Sequence, residues 1–509
     1  MSRVANPILP GCHPDPSIVR VGADYYLVTS TFEYFPGLPV FHSTDLARWE
    51  CIGHVVTRPD QLDYAGIASS GGLYAPTIRY HDGRFLVVCT LVDQEDETRG
   101  GHFVMTATDP AGPWSDPVWL DADGIDPSLF FDDDGRAWLH GTRLAREPEW
   151  HHQTEVWLRE LDLATMSLTG PEHILWTGAV RGAVWAEGPH LYRVDGTYYL
   201  LAAEGGTEFH HAVCVARSDA VTGPYVGNPA NPVLTHRHLG HGADVVGTGH
   251  ADLVQAVDGS WWAVLLGMRT EGGYHYPLGR ETFLVPVAWE GGWPVFAPGV
   301  GRVPAEVDVP FARPGPAPAT GPAWTTLRAP ASTFAEPDGE GWRLHLTPAN
   351  LTDPVTPAFL GVRQEHRDLD FAVTLAGPLS TGEEAGLAVR QSERDHVRLA
   401  LVGGRNGSLV RAVHRRAGSD ILLGELAVAA SEEVRLGVRV RGVEYALTVR
   451  VGDRDVVVAT ADGRTLDSVA TGGFLGLWLG VYATSNGVPT TTVMDVRDVT
   501  YRPIEPSGR

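Results

Sequence analysis

Asp195-Gly196-Thr197-Tyr198-Tyr199-Leu200-Leu201 is a turn followed by an aromatic strand start, and its pattern returns along the first 305 residues. The same pattern appears as Gly22-Ala23-Asp24-Tyr25-Tyr26-Leu27-Val28 and as Asp82-Gly83-Arg84-Phe85-Leu86-Val87-Val88. It returns as Asp134-Gly135-Arg136-Ala137-Trp138-Leu139-His140 and Asp258-Gly259-Ser260-Trp261-Trp262-Ala263-Val264. Equivalent positions are Tyr26, Leu86, Trp138, Tyr199 and Trp262, spaced by 60, 52, 61 and 63 residues. Each interval has room for about four short strands, the content of one propeller blade. Asp-Gly suits a hairpin turn that needs positive φ. Five copies between residues 5 and 305 predict a five-bladed β-propeller over residues 1–305.

Beyond the repeats the pattern breaks. Prolines 304, 310, 314, 316, 318 and 322 mark residues 306–325 as a Pro-rich linker. Apolar alternation then resumes in Trp342/Leu344/Leu346, Val397/Leu399/Leu401, Val434/Leu436/Val438/Val440 and Tyr445/Leu447/Val449/Val451. This period of two predicts an antiparallel β-sandwich over residues 326–509. The fold class is therefore all-β, a propeller followed by a sandwich.

A short motif stands at a fixed distance before each repeat anchor. Asp15 of His13-Pro14-Asp15-Pro16-Ser17 precedes Tyr26 by 11 residues. Tyr74, Asp126, Glu187 and His250 each precede their anchors by 12. Equal offsets imply equivalent places in successive blades, on the innermost strands. Three carboxylates, one aromatic and one imidazole then converge from distant parts of the chain. An Asp before Pro commonly just begins a turn, and for any single motif that bland reading wins. The shared register of Asp15, Asp126 and Glu187 reverses it, because burying three carboxylates together is costly without a purpose. Tyr74 reads equally as a core aromatic, and His250 as a satisfied channel histidine. Arg280 either clamps a substrate or pairs with a carboxylate. Phe32 and Phe35, in Thr31-Phe32-Glu33-Tyr34-Phe35-Pro36-Gly37, either wall a pocket or belong to the propeller core.

Two carboxylates in different environments are the equipment for cleaving a glycosidic bond, one donating a proton and one staying ionised. A third nearby raises the pKa of the acid by like-charge repulsion. Composition agrees with a neutral substrate. Lys plus Arg number 39 against 62 Asp plus Glu, a net charge of −23, which repels nucleic acid and anionic lipid. The 4 cysteines, at 12, 51, 89 and 214, form no CxxC pair and read as reduced thiols. No apolar leader and no run of 18 apolar residues is visible, so the expected location is cytoplasmic, with no membrane partner. Homo-oligomerisation is left open.

Taken together, these motifs resemble glycoside hydrolase family 43 in its β-xylosidase and α-L-arabinofuranosidase branch. The resemblance rests on Asn6-Pro7-Ile8-Leu9-Pro10-Gly11-Cys12-His13-Pro14-Asp15-Pro16-Ser17-Ile18, Ser30 through Gly37, and Ala186-Glu187-Gly188-Pro189-His190-Leu191-Tyr192. Ala203-Glu204-Gly205-Gly206-Thr207-Glu208, Gly247 through Val254 and Gly279-Arg280-Glu281-Thr282 complete it. It implies a five-bladed propeller and an exo-acting, inverting enzyme that releases xylose from short β-1,4-xylo-oligosaccharides. Asp15 matches the general base, Glu187 the general acid, and Asp126 the residue that orients the acid and raises its pKa. Arg280 matches a substrate-binding arginine and Phe32 a wall of the terminal sugar subsite. His250 matches a channel histidine that in some members faces calcium or water, so no cofactor is required for the chemistry and a structural Ca²⁺ is the one metal to consider. Inversion implies carboxyls roughly 6.5–9.5 Å apart. An α-L-arabinofuranosidase or a dual activity is the near alternative. A non-catalytic sugar-binding propeller and a retaining enzyme are remoter ones. Two departures stand out: Tyr74 replaces the usual tryptophan, and the C-terminal aromatic of the family is not evident around Gly480–Asn486.

Overall fold

The computed structural model describes residues 2–312, 323–404, 407–428 and 433–504. Half of the Pro-rich stretch, residues 313–322, lies outside them. Up to residue 296 the chain forms five antiparallel sheets of four or five strands, each built from consecutive strands. Each sheet contributes one strand to a ring: Ser17–Val21, Thr77–His81, Ile125–Phe131, Glu187–Val194 and Val245–Gln255. Each of these touches the next in sequence, and the last touches the first, so they close a ring. The repeat anchors fall on the strands that pair with these. Tyr26 faces Val19, Leu86 faces Arg79, Trp138 faces Phe130, Tyr199 faces Tyr192, and Trp262 faces Val254.

The repeated Asp-Gly pairs make two kinds of turn. Asp82-Gly83 (φ 49° and 76°) and Asp195-Gly196 (φ 49° and 83°) are two-residue hairpins with both φ values positive. In the longer loops before Ala137 and Trp261 only the glycine has positive φ. There the Asp carboxylate accepts the N–H two residues on, from Arg136 or Ser260, at 3.0 Å.

The ring is tied shut by the N-terminus. Ser2–Ala5 pairs with Glu306–Val309, so the Pro-rich stretch begins with a strand. The Asn6 side chain donates to the Leu284 and Pro304 carbonyls, at 2.8 and 3.0 Å.

Residues from Ala335 onward form a seven-stranded and a six-stranded antiparallel sheet packed face to face. The inward residues are those the alternation selects: Leu344, Val397, Leu399, Leu436, Val438, Tyr445 and Leu447 are all buried. Each such side chain contributes on the order of 1.5–3 kcal/mol of burial. Val451 lies beyond the core and is exposed. The sandwich docks on the first two sheets through the six-stranded sheet. Trp478 stacks on Tyr34 at 3.9 Å. Arg390, fully buried, donates to the Tyr34 hydroxyl at 3.0 Å and to Glu33 at 3.3 Å. Thr326–Leu327 adds a short strand to Tyr34–Phe35.

Candidate active site

The ring strands deliver their motifs to one end of the channel. Asp15, Asp126 and His250 sit in the left-handed region, with φ of 56°, 55° and 51°. Glu187 is followed instead by Gly188 at φ 55°. Register shifts mark the same places, between Ile125 and Ser128, Glu187 and His190, and Gly249 and Asp252. The extra residue of such a bulge turns a side chain from the sheet face toward the axis. Strained backbone of this kind collects at functional sites. Gly188 is needed for a second reason. A Cβ there would lie 2.8 Å from the His250 ring.

One pocket results. It is lined by Asp15, Asp126, Glu187, His250, Arg280, Phe32 and Tyr74, with Ala75, Ile125, Thr207 and Phe474 completing it. Asp15 Oδ2 accepts from the Ser30 hydroxyl at 2.5 Å, and its Oδ1 lies 3.7 Å from His250 Nδ1. Asp126 Oδ2 accepts the Gly188 N–H at 3.0 Å. Burial pushes the Asp126 carboxyl up to about 6; His250 and the Gly188 N–H oppose this, while Asp15 adds to it. Burial, then Asp126 and Asp15, push Glu187 well above the usual carboxyl range, against Arg280. Tyr74 hydroxyl accepts from Gln94 at 2.9 Å and is pushed up to about 12 by burial.

Arg280 is buried and held by three hydrogen bonds. Nε donates to Thr207 Oγ1 at 2.8 Å, Nη2 to the Thr207 carbonyl at 3.0 Å, and Nη1 to the Phe474 carbonyl at 2.6 Å. None goes to a carboxylate, so its charge remains available to a ligand.

Phe35 needs correction as a pocket residue. Along Phe32–Phe35 the chain turns, and Phe35 faces the core between the first two sheets, edge-on to Tyr64 at 6.4 Å. Phe32 alone of the pair lines the pocket. Two residues escaped the sequence reading. Thr207 lay inside a motif that carried the resemblance but had no assigned task. Phe474 comes from the sandwich and supplies the aromatic missing near Gly480. It stacks on Phe32 at 5.9 Å with ring planes 18° apart, meets Tyr74 edge-on at 5.8 Å, and lies under the Arg280 guanidinium at 5.1 Å. Its only local signal is an aromatic after a Gly-Gly turn.

Among the described residues no set of three His, Cys, Asp or Glu side chains could hold a metal ion. Calcium takes six to eight oxygens. An ion at His250 would depend on water oxygens, and the described residues do not build a cage for it.

Known proteins place this pocket in context. The glycosyl hydrolases family 43 model matches residues 4–294, and the β-xylosidase C-terminal concanavalin A-like domain model matches residues 316–502. The chain belongs to glycosyl hydrolase family 43. A xylosidase/arabinosidase of Butyrivibrio fibrisolvens is 39% identical over 96% of this chain and 97% of its own. A non-reducing end α-L-arabinofuranosidase of Bacteroides ovatus is 39% identical over 96% and 93%. Among solved structures, a xylan β-1,4-xylosidase from Bacillus halodurans superposes with a TM-score of 0.91 at 33% identity, covering 98% of this chain and 100% of that one. This family-43 enzyme therefore carries the family's propeller and a concanavalin-like second domain, and acts as a glycoside hydrolase.

Proposed function

We propose that this enzyme releases single xylose residues from the non-reducing ends of short β-1,4-xylo-oligosaccharides with inversion at the anomeric carbon. The five sheets closed by a ring of strands are read as the five blades. The observation that carries the reading is the contrast inside one pocket: burial and two neighbouring carboxylates push Glu187 well above the usual carboxyl range, while Asp15 accepts from a serine hydroxyl and faces an imidazole. Asp15 takes a proton from a water whose oxygen attacks the anomeric carbon. Glu187 gives its proton to the glycosidic oxygen as the carbon–oxygen bond breaks. Asp15 ends protonated and Glu187 ionised, and exchange with solvent resets both. Asp126 raises the pKa of Glu187 and fixes the following N–H. Arg280 binds sugar hydroxyls, and Phe32, Tyr74 and Phe474 close the pocket around one ring, which favours action from chain ends.

A second reading, α-L-arabinofuranosidase or dual activity, is supported by the equal identity to relatives named for both activities. Rates on p-nitrophenyl β-D-xylopyranoside and p-nitrophenyl α-L-arabinofuranoside decide between them. A rate at least tenfold higher on the xyloside is expected, and the reverse ratio would make the enzyme an arabinofuranosidase. Digestion of xylo-oligosaccharides should yield free xylose from the first time point. Mid-length fragments without xylose would mean an open cleft.

A further inference from the structure

A cavity of about 500 Å³ opens on the sandwich, far larger than the roughly 70 Å³ of the carboxylate pocket. It falls within the range of roughly 300–1,000 Å³ typical of ligand sites. We propose that it is a second, non-catalytic site for a neutral oligosaccharide; the choice of xylo-oligosaccharide as ligand rests on the function proposed above.

The hollow lies on the outer face of the six-stranded sheet, whose other part docks on the propeller through Trp478 and Arg390. Its floor is short or flat: Ala400 on His396–Val402, Val413 on Ser408–Arg416, and Tyr482 on Trp478–Thr484. Its walls are long and charged. Arg411 faces Glu425 across neighbouring strands at 2.5 Å, and Arg415 faces Asp420 at 2.9 Å. Arg398 donates to Asp420 at 2.6 Å, and the Tyr482 hydroxyl donates to Glu384 at 3.2 Å.

Three arginines meet three carboxylates, so the walls sum to no net charge in a chain carrying −23. Donors and acceptors therefore alternate around the hollow, as vicinal sugar hydroxyls require, since each hydroxyl both donates and accepts. An anion would meet a carboxylate beside every guanidinium. Arg398 is incompletely used. It is 8% exposed, its Nε has no acceptor among the described residues, and its Nη1 stands 3.9 Å from Glu384, beyond hydrogen-bond range. A buried charged donor without an acceptor is costly, and a ligand hydroxyl in the gap beside Nη1 would use the guanidinium more fully. Leu422, 58% exposed at the wall, supplies an apolar patch for the C–H face of a sugar ring. Side-chain amides of Asn350 and Asn486 border the opening.

The test is calorimetric titration of the full-length Glu187→Gln enzyme with xylotetraose, which it should consume at least a hundredfold more slowly than the wild type, in parallel with neutral arabinose and glucose oligomers and an acidic uronic-acid oligomer. Two binding events per chain are expected with at least one neutral oligomer. Replacing the exposed pair together, Arg411→Ala with Glu425→Ala, keeps net charge constant and should weaken only the second event by tenfold or more. In the otherwise wild-type enzyme the same pair should leave p-nitrophenyl xyloside turnover within twofold. If its melting temperature falls, the Gln/Gln pair at the same positions replaces it. A single event for every neutral oligomer, two events that the pair does not alter, or a second event only with the acidic oligomer would each overturn the proposal. Failure of wild-type enzyme to cleave any xyloside would overturn the xylosidase reading instead, and the titration would still decide the site.

Discussion

Two layers of polar residues occupy the same ring of strands, and they treat buried carboxylates in opposite ways. The upper layer holds Asp15, Asp126, Glu187 and His250. Ser17, Ser128, His190 and Asp252 stand two or three residues further along the same strands and form the lower layer. Asp252 is fully buried, yet it accepts from Ser17 Oγ at 2.7 Å, Ile18 N at 3.0 Å, Arg79 Nη1 at 2.9 Å and Tyr192 hydroxyl at 2.5 Å. Burial alone would raise its pKa; Arg79, His190 and the Tyr192 hydrogen bond outweigh burial and hold it well below the usual range. Its partner His190 is pushed down to about 3, chiefly by burial, and stays neutral. Glu187 has no hydrogen bond to its carboxyl among the described residues, and its neighbours are themselves carboxylates. Desolvation thus accompanies a structural clamp at wholly buried Asp252, where charge is compensated, and a proton donor at partly buried Glu187, where it is not.

The largest expected effect follows from emptying the upper layer. Glu187→Gln and Asp15→Asn should each cut turnover of xylobiose by at least 10²–10⁴-fold, the usual range of a general acid or base, with circular dichroism unchanged. Retention of more than about a tenth of the rate by either variant would remove that residue from its role.

The lower layer should respond in stability rather than chemistry. Asp252→Asn strands Arg79 in the channel and should cost about 3–5 kcal/mol in denaturant unfolding. The folded pKa of Asp252 is depressed, so its contribution is present above the ordinary carboxyl value of about 3.9 and is lost as pH falls below it. Asp126 has the opposite sign. Its folded value of about 6 exceeds the unfolded one, so its cost is absent at low pH, grows above about 3.9 and is complete above about 6. Asp126→Asn should therefore raise the melting temperature by a few degrees at pH 7.5 and by less at pH 4.5. Stability lost equally by both variants, with the same pH dependence, would erase the distinction between the layers.

Asp126→Asn should also act on catalysis. Removing its charge favours ionisation of Glu187, so the basic limb of kcat/KM should move to lower pH. Xylobiose should suffer more than nitrophenyl xyloside, whose leaving group needs little acid assistance. An unmoved limb with equal losses would make Asp126 a positioning residue only.

The smallest effect belongs to the second domain's contact. Phe474→Ala should raise KM about tenfold while changing kcat less, because stacking on Phe32 shapes the pocket without moving a proton. An unchanged KM would mean that the sandwich does not shape the subsite.

Much of this was legible in the chain. The repeat anchors at Tyr26, Leu86, Trp138, Tyr199 and Trp262 report period-two strands behind tight turns, which are local properties. The equal offsets of Asp15, Tyr74, Asp126, Glu187 and His250 report equivalent starts of successive ring strands, three of them bulged, and such equivalent places face one axis. Phe474 was not legible, because its place is set by docking across 194 residues to Arg280. The choice between Phe32 and Phe35 turned on chain direction inside a short, irregular segment, where alternation carries no information. The lower layer was hidden for a related reason: Ser17 and Asp252 look like ordinary turn residues until Arg79 from a third strand joins them.

The central claim is that Asp15 and Glu187 work on opposite sides of one sugar through a water. Proton NMR of p-nitrophenyl β-D-xylopyranoside early in its hydrolysis by the wild-type enzyme reports it directly, because the only xylose released is the one whose anomeric carbon was attacked. The signal of α-xylose should appear first and the β anomer only later, by mutarotation. β-Xylose appearing first would mean retention through a covalent intermediate, and would contradict the account.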